Sequence, residues 1–133
     1  MKYNEKNLTA DFSKWLRTEG RDDPRFNVSM AIEFKVCKKK FLNIKSDFEP
    51  QQIIMLEQAK NGCVYKKLSD MDLTVKPFDS IQICNAKAYV AVMWPAPRKK
   101  KTLYFIDVDK LKDIKKIDEN KAIEICEIII IFS

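Results

Sequence analysis

Glu33 and Lys35 stand one residue apart in the segment FNVSMAIEFKV, residues 26–36. An acid and an amine held side by side can do phosphodiester chemistry. The carboxylate holds a divalent cation, while the ammonium positions an attacking water and stabilises negative charge growing on the phosphate. The chain has no histidine, which removes Ser-His-Asp and Cys-His catalysis, imidazole zinc sites and histidine general bases together. Carboxylates, lysines, amides and hydroxyls remain, and the cofactor that suits them is Mg²⁺ or Mn²⁺, because hard cations prefer oxygen ligands. Taken alone, Glu-x-Lys is more often the solvent face of an amphipathic strand, so the elements around it have to decide.

Those elements follow from periodicity. Phe26, Val28, Met30, Ile32, Phe34 and Val36 alternate with the remaining positions, which predicts a strand over 26–36 with one face in the core. Its other face carries Glu33 and Lys35, roughly 7 Å apart at the usual rise per residue. Leu8, Phe12, Trp15 and Leu16 share a helical face and predict a first helix, broken by Gly20 and by Arg21-Asp22-Asp23-Pro24. Ser46 and Glu49 read as a capping box with Pro50 in the first turn. They predict a second helix over 47–60, closed by Asn61-Gly62 as a left-handed cap. Short strands are expected at 63–68 and 81–84, longer ones at 88–94 and 102–108, a short helix at 110–117 and a strand at 123–132. This order predicts one domain, 1–133, of the α/β (α+β) class, with a mixed central β-sheet flanked by helices.

Cys37, Cys63, Cys84 and Cys126 are widely spaced and never form Cys-x-x-Cys, so they read as reduced core residues. The first residues, MKYNEKNLTADF, contain no apolar run of signal-peptide length, and the longest apolar stretch, 128–132, is too short to span a bilayer. The expectation is a cytoplasmic protein without a membrane partner.

The segments AIEFKV, a basic linker, DFEPQQIIMLEQA, VYKKLSDMDLTVKPFDSIQI and AYVAVMW together resemble the PD-(D/E)XK nuclease superfamily. The likeness is to its Holliday junction resolvases and RecU-like phage recombination nucleases, over residues 8–108. The resemblance implies a restriction-endonuclease-like sheet and a Mg²⁺-dependent endonuclease that cuts branched or structured DNA as a homodimer, in the cytoplasm or nucleoid of a host if phage-encoded. It makes Glu33 a metal ligand, Lys35 the catalytic lysine, and Gln52 a polar helix residue near the metal or the scissile phosphate. Glu5, near the head of the first helix, matches a helix carboxylate that some members use, and also reads as a solvated terminal charge. The family's aspartate on the strand before Glu-x-Lys has no clean counterpart. Asp23 precedes the Glu33 strand directly, in what is equally a plain turn; Asp79 precedes a strand expected to lie beside that of Glu33; Asp70 and Asp72 read as loop residues.

The formal charge is +6 and its excess is clustered, notably at Lys38, Lys39 and Lys40 and at Arg98, Lys99, Lys100 and Lys101. Such clusters suit DNA phosphates, whose neutralisation releases counterions, and they equally suit solvated turns. Most aromatics fall at core spacings; Trp94, beside the second cluster, is the one placed for DNA contact. Two other readings stand beside the nuclease. One is a DNA-binding protein of the same fold with an incomplete carboxylate set; the other is a small viral interaction or inhibitor protein. The apolar residues 123–132 form a candidate dimer edge unless paired within their own sheet.

Overall fold

The computed structural model describes residues 2–68 and 78–132. Elements follow in the order α1 (Glu5–Thr18), β1 (Met30–Val36), β2 (Leu42–Asn43), α2 (Pro50–Asn61), β3 (Cys63–Lys67), β4 (Ser80–Cys84), β5 (Lys87–Met93), β6 (Lys101–Asp107), β7 (Lys116–Ile117), α3 (Glu119–Ile125) and β8 (Ile128–Phe132). Short 3₁₀ turns occupy Pro24–Phe26 and Val108–Leu111.

The central sheet has the order β1-β5-β6-β8; β1 runs parallel to β5 and the other neighbours are antiparallel. The expected class is what forms, a mixed sheet with helices on both faces. On one face Leu8 and Phe12 of α1 pack against Tyr89, Met93, Leu103 and Phe105. On the other, Leu56 of α2, Phe48 and Ala122 of α3 pack against Val90, Val92 and Ile106. Covered on both sides, β5 is buried from Ala88 to Met93, which is why its sequence is a continuous apolar run and not an alternation. Strand β1 lies at the sheet edge. Met30, Ile32, Phe34 and Val36 face the α1 layer, and Ala31 faces the α2 layer. Glu33 and Lys35 share Ala31's side by the alternation of the strand.

Several boundaries move. The expected strand at 26–36 starts only at Met30, because Asp23 caps a 3₁₀ turn over Pro24–Phe26. Phe26 instead packs its ring between Trp15, at 5.4 Å, and Phe105, at 5.6 Å. The second helix begins at Pro50 with Glu49 as N-cap, not at the Ser46 cap. Asp47 is used elsewhere, accepting the Asn43 N–H at 2.7 Å. Gly62 closes this helix in an extended conformation, φ −161°, and not as a left-handed cap. The helix expected at 110–117 is replaced by a 3₁₀ turn, capped by the Asp107 side chain, and by β7, which pairs with β2. Residues 123–132 do not form one strand: Asp118 accepts the Lys121 N–H at 2.8 Å and opens α3, and β8 follows.

The cysteine expectation is also corrected. Cys63 and Cys84 sit opposite one another on the antiparallel β3–β4 pair, are exposed, and form a disulfide. Only Cys37 is a buried free thiol; Cys126 is free and half-buried. Among the described residues no helix is long and apolar enough to cross a membrane.

Candidate functional site

Gln52 is the residue that ties the second helix to the Glu33 strand. As the third residue of α2, its side-chain oxygen accepts the Glu49 N–H at 3.0 Å, closing the helix end. That capping bond orients the amide, and its Nε2 donates to Glu33 Oε1 at 2.5 Å, across 19 residues of sequence. One glutamine thus serves as helix cap and as the clamp on a strand carboxylate.

Burial pushes the Glu33 carboxyl above the ordinary glutamate range; Lys35 and the Gln52 hydrogen bond oppose the rise, and the negative charge of Glu5 adds to it. Glu5 is the first residue of α1, the helix on the other face, and borders the cavity of Lys35, not the one beside Glu33. Lys35 places its ammonium 4.8 Å from the centroid of the buried Phe48 ring, a cation–π contact that directs it without consuming a carboxylate.

Glu33 and Lys35 border different cavities. One, about 360 Å³, is bordered by Glu33, Gln52 and Glu49 above Ala31, Met55 and Leu56. The next, about 490 Å³, is bordered by Glu5, Lys35, Lys38, Lys39 and Asp47. Asp47 was not singled out in the sequence. Burial raises its carboxyl, but hydrogen bonds from the Asn43 N–H and Lys39 and the charges of Lys39 and Lys35 outweigh that and hold it below the usual aspartate value. It is ionised at neutral pH and balances the lysines of this cavity. Its signal in the sequence was masked by the S-x-x-E pattern around it, which suggested a helix start.

The other sequence candidates fall as follows. Asp23 accepts the Arg25 backbone N–H at 3.0 Å and pairs with the Arg25 guanidinium at 2.7 Å, so its carboxylate is spent in its own turn. Asp79 lies at the bend before β4, and β4 pairs with β3 in a separate two-stranded sheet, not beside β1 as expected. Asp70 and Asp72 lie outside the described residues. Lys40 is exposed, with its ammonium over Phe41. Arg98, Lys99 and Lys100 sit in the β5–β6 connection, and Lys101 begins β6. Trp94 is half-buried and packs on the core with its ring 6.0 Å from Tyr104, and its indole N–H has no hydrogen-bond partner among the described residues.

No protein-family model matches this chain. Nor does any curated protein or solved structure show significant similarity to it. The functional reading therefore rests on the chemistry of its own residues.

Glu33 and Glu5 are hard oxygen donors, and Mg²⁺ needs only one or two carboxylates when water and substrate phosphate complete its shell. Carboxylate oxygens suit a hard divalent cation, and among the described residues no group of three or more acidic or cysteine side chains gathers where it could hold a metal ion.

Proposed function

We propose that this protein is a Mg²⁺- or Mn²⁺-dependent endonuclease of the PD-(D/E)XK kind, with a restriction-endonuclease-like fold, acting on branched or structured DNA in the manner of a Holliday junction resolvase. The observation that carries the reading is the hydrogen bond from Gln52 to Glu33. It joins the Glu-x-Lys strand to the glutamine-bearing helix, two of the several segments that carry the resemblance. Glu33 and Glu5 would hold the cation, which supplies a polarised phosphoryl oxygen and a more acidic bound water.

The chain's own residues do the remaining work. Gln52 holds the Glu33 carboxylate in one orientation. Lys35, on the same strand face, brings a fixed positive charge to where negative charge builds as a water oxygen adds to phosphorus and the P–O bond to the sugar breaks. Lys38 and Lys39 border the Lys35 cavity and supply charge for the flanking phosphates. A two-fold dimer, as cutting two strands symmetrically requires, would use the free edge of β8, where Ile129 is 42% and Ile131 54% exposed. The cytoplasm, or a host nucleoid, is where such a substrate is met.

The test is cleavage of junction, flap and linear duplex DNA with Mg²⁺ and with Mn²⁺. Wild type should cut at least one branched substrate, and Glu33→Ala and Lys35→Ala should each lose about 100-fold or more in rate. Wild-type protein that cuts nothing with either metal ends the enzyme reading. DNA retained equally with and without metal would mark the non-catalytic binder instead.

A further inference from the structure

Next to the Lys35 cavity lies another that the scheme above does not use. It measures about 400 Å³ and is bordered by Pro95, Ala96 and Pro97 of the β5–β6 connection, by Tyr3, and by Lys38 and Lys99 among its amines. Lys38 borders both cavities. The floor is apolar and the rim is cationic. Lys99 is paired with Glu119 and Lys101 with Asp11, whereas Lys2, Lys38 and Arg98 make no ion pair among the described residues.

The turn itself carries a second observation. Ala96 O accepts the Lys99 N–H at 3.3 Å, with Pro97 second and Arg98 third in the turn, and Arg98 has φ +62°. Proline followed by a positive φ is the pattern of a type II turn, whose third position favours glycine or asparagine. An arginine there is held in a left-handed conformation that L side chains seldom adopt.

We propose that this cavity binds one unstacked nucleotide of a DNA strand, its base against the prolines of the turn, with the neighbouring phosphates on Lys2 and Lys38. A duplex offers lysines its phosphates but keeps its base faces in the stack. An apolar hollow with a cationic rim therefore favours a strand whose bases are free. The cavity would hold the unpaired arm of a branched substrate beside the Glu33–Lys35 site. This deepens the nucleic-acid side of the reading above and does not require cleavage.

The experiment is fluorescence anisotropy in EDTA with a labelled oligo-dT strand and a hairpin duplex of equal charge. Wild type should bind the strand more tightly. Ala96→Glu, which puts a carboxylate on the apolar floor, should weaken strand binding by about tenfold or more while changing duplex binding by less than about twofold. Photo-cross-linking of 5-iodo-deoxyuridine oligonucleotide to wild type provides a readout that needs no variant, with adducts expected on Tyr3 or on residues 95–101. Equal loss for strand and duplex, no loss for either, or adducts only elsewhere overturns the pocket. Because no metal is present, a protein that never cuts can still pass this test. One that cuts branched DNA yet fails it loses only the pocket.

Discussion

The Glu33 carboxyl sits in an environment that disfavours its charge. Its acidity is weakened in the fold by burial, with Glu5 adding to the effect, so ionisation favours the unfolded chain. Below the unfolded pKa the group is neutral in both states and costs nothing. As pH rises through the folded value the cost develops, and above it stays constant. Glu33→Gln keeps the shape and can still accept from Gln52, so it should melt at a higher temperature than wild type at neutral pH. That gap should close as pH falls toward about 4, the ordinary range of a glutamate. Melting curves of both proteins across that range check it; a gap that widens in acid contradicts the assignment. A cation bound by the carboxylates should narrow the gap at neutral pH, because it favours the ionised form.

Gly20 shows a different single-residue constraint. A Cβ there would lie 2.3 Å from the Trp15 ring. That ring cannot easily yield, since it packs 6.0 Å from Phe12 and 5.4 Å from Phe26. Gly20→Ala should cost about 1–3 kcal/mol by urea denaturation, whereas Gly62→Ala, where a Cβ would come no closer than 3.4 Å to Gln58 O, should be mild.

At the scale of elements, local signals were read well where packing agreed with them and poorly where it did not. The first helix and the strands at 88–94 and 102–108 were legible because a face of helical spacing and long apolar runs leave few alternatives. Residues 123–132 were misread because isoleucine is β-branched, while Asp118, a good N-cap, and the burial of Ala122 decide for a helix over Glu119–Ile125. The β3–β4 pair illustrates pairing that the sequence spacing concealed. Its disulfide closes a separation of 21 residues, and a loop of that order is worth about 3 kcal/mol in chain entropy when oxidised. Cys63→Ser should lower stability by up to that amount in non-reducing buffer and leave it unchanged relative to wild type in excess dithiothreitol. Equal stability in both buffers removes the disulfide from the account. In a reducing cytoplasm the pair would be open.

At the scale of the molecule, the two sheet edges differ. Strand β1 ends the sheet beneath the heads of α1 and α2 and carries the candidate site. Strand β8 ends it with alternating burial, and Ile129 and Ile131 face outward without the lysines or prolines that usually guard such an edge. Wild type should therefore sediment as a dimer that dissociates on dilution, and Ile131→Lys should be monomeric at the same concentrations without losing its fold. A wild type that is monomeric throughout sinks the β8 dimer. Net charge belongs to this scale too, since a chain of +6 binds polyanions in a salt-dependent way whatever else it does.

What the sequence by itself determined is local: Glu33 and Lys35 on one strand face, because alternation is a property of the extended backbone, and Gln52 on a helix, although the start of that helix at Pro50 and the place of Gln52 in its first turn came only with the fold. What only the tertiary structure decided is company. Glu5 and Asp47 join the lysines of one cavity, Asp23 is consumed by its own turn, and β4 pairs away from β1. Those outcomes depend on how α1 and α2 pack over opposite faces of an edge strand, and burial of side chains distant in sequence sets that packing, which no local pattern of residues encodes.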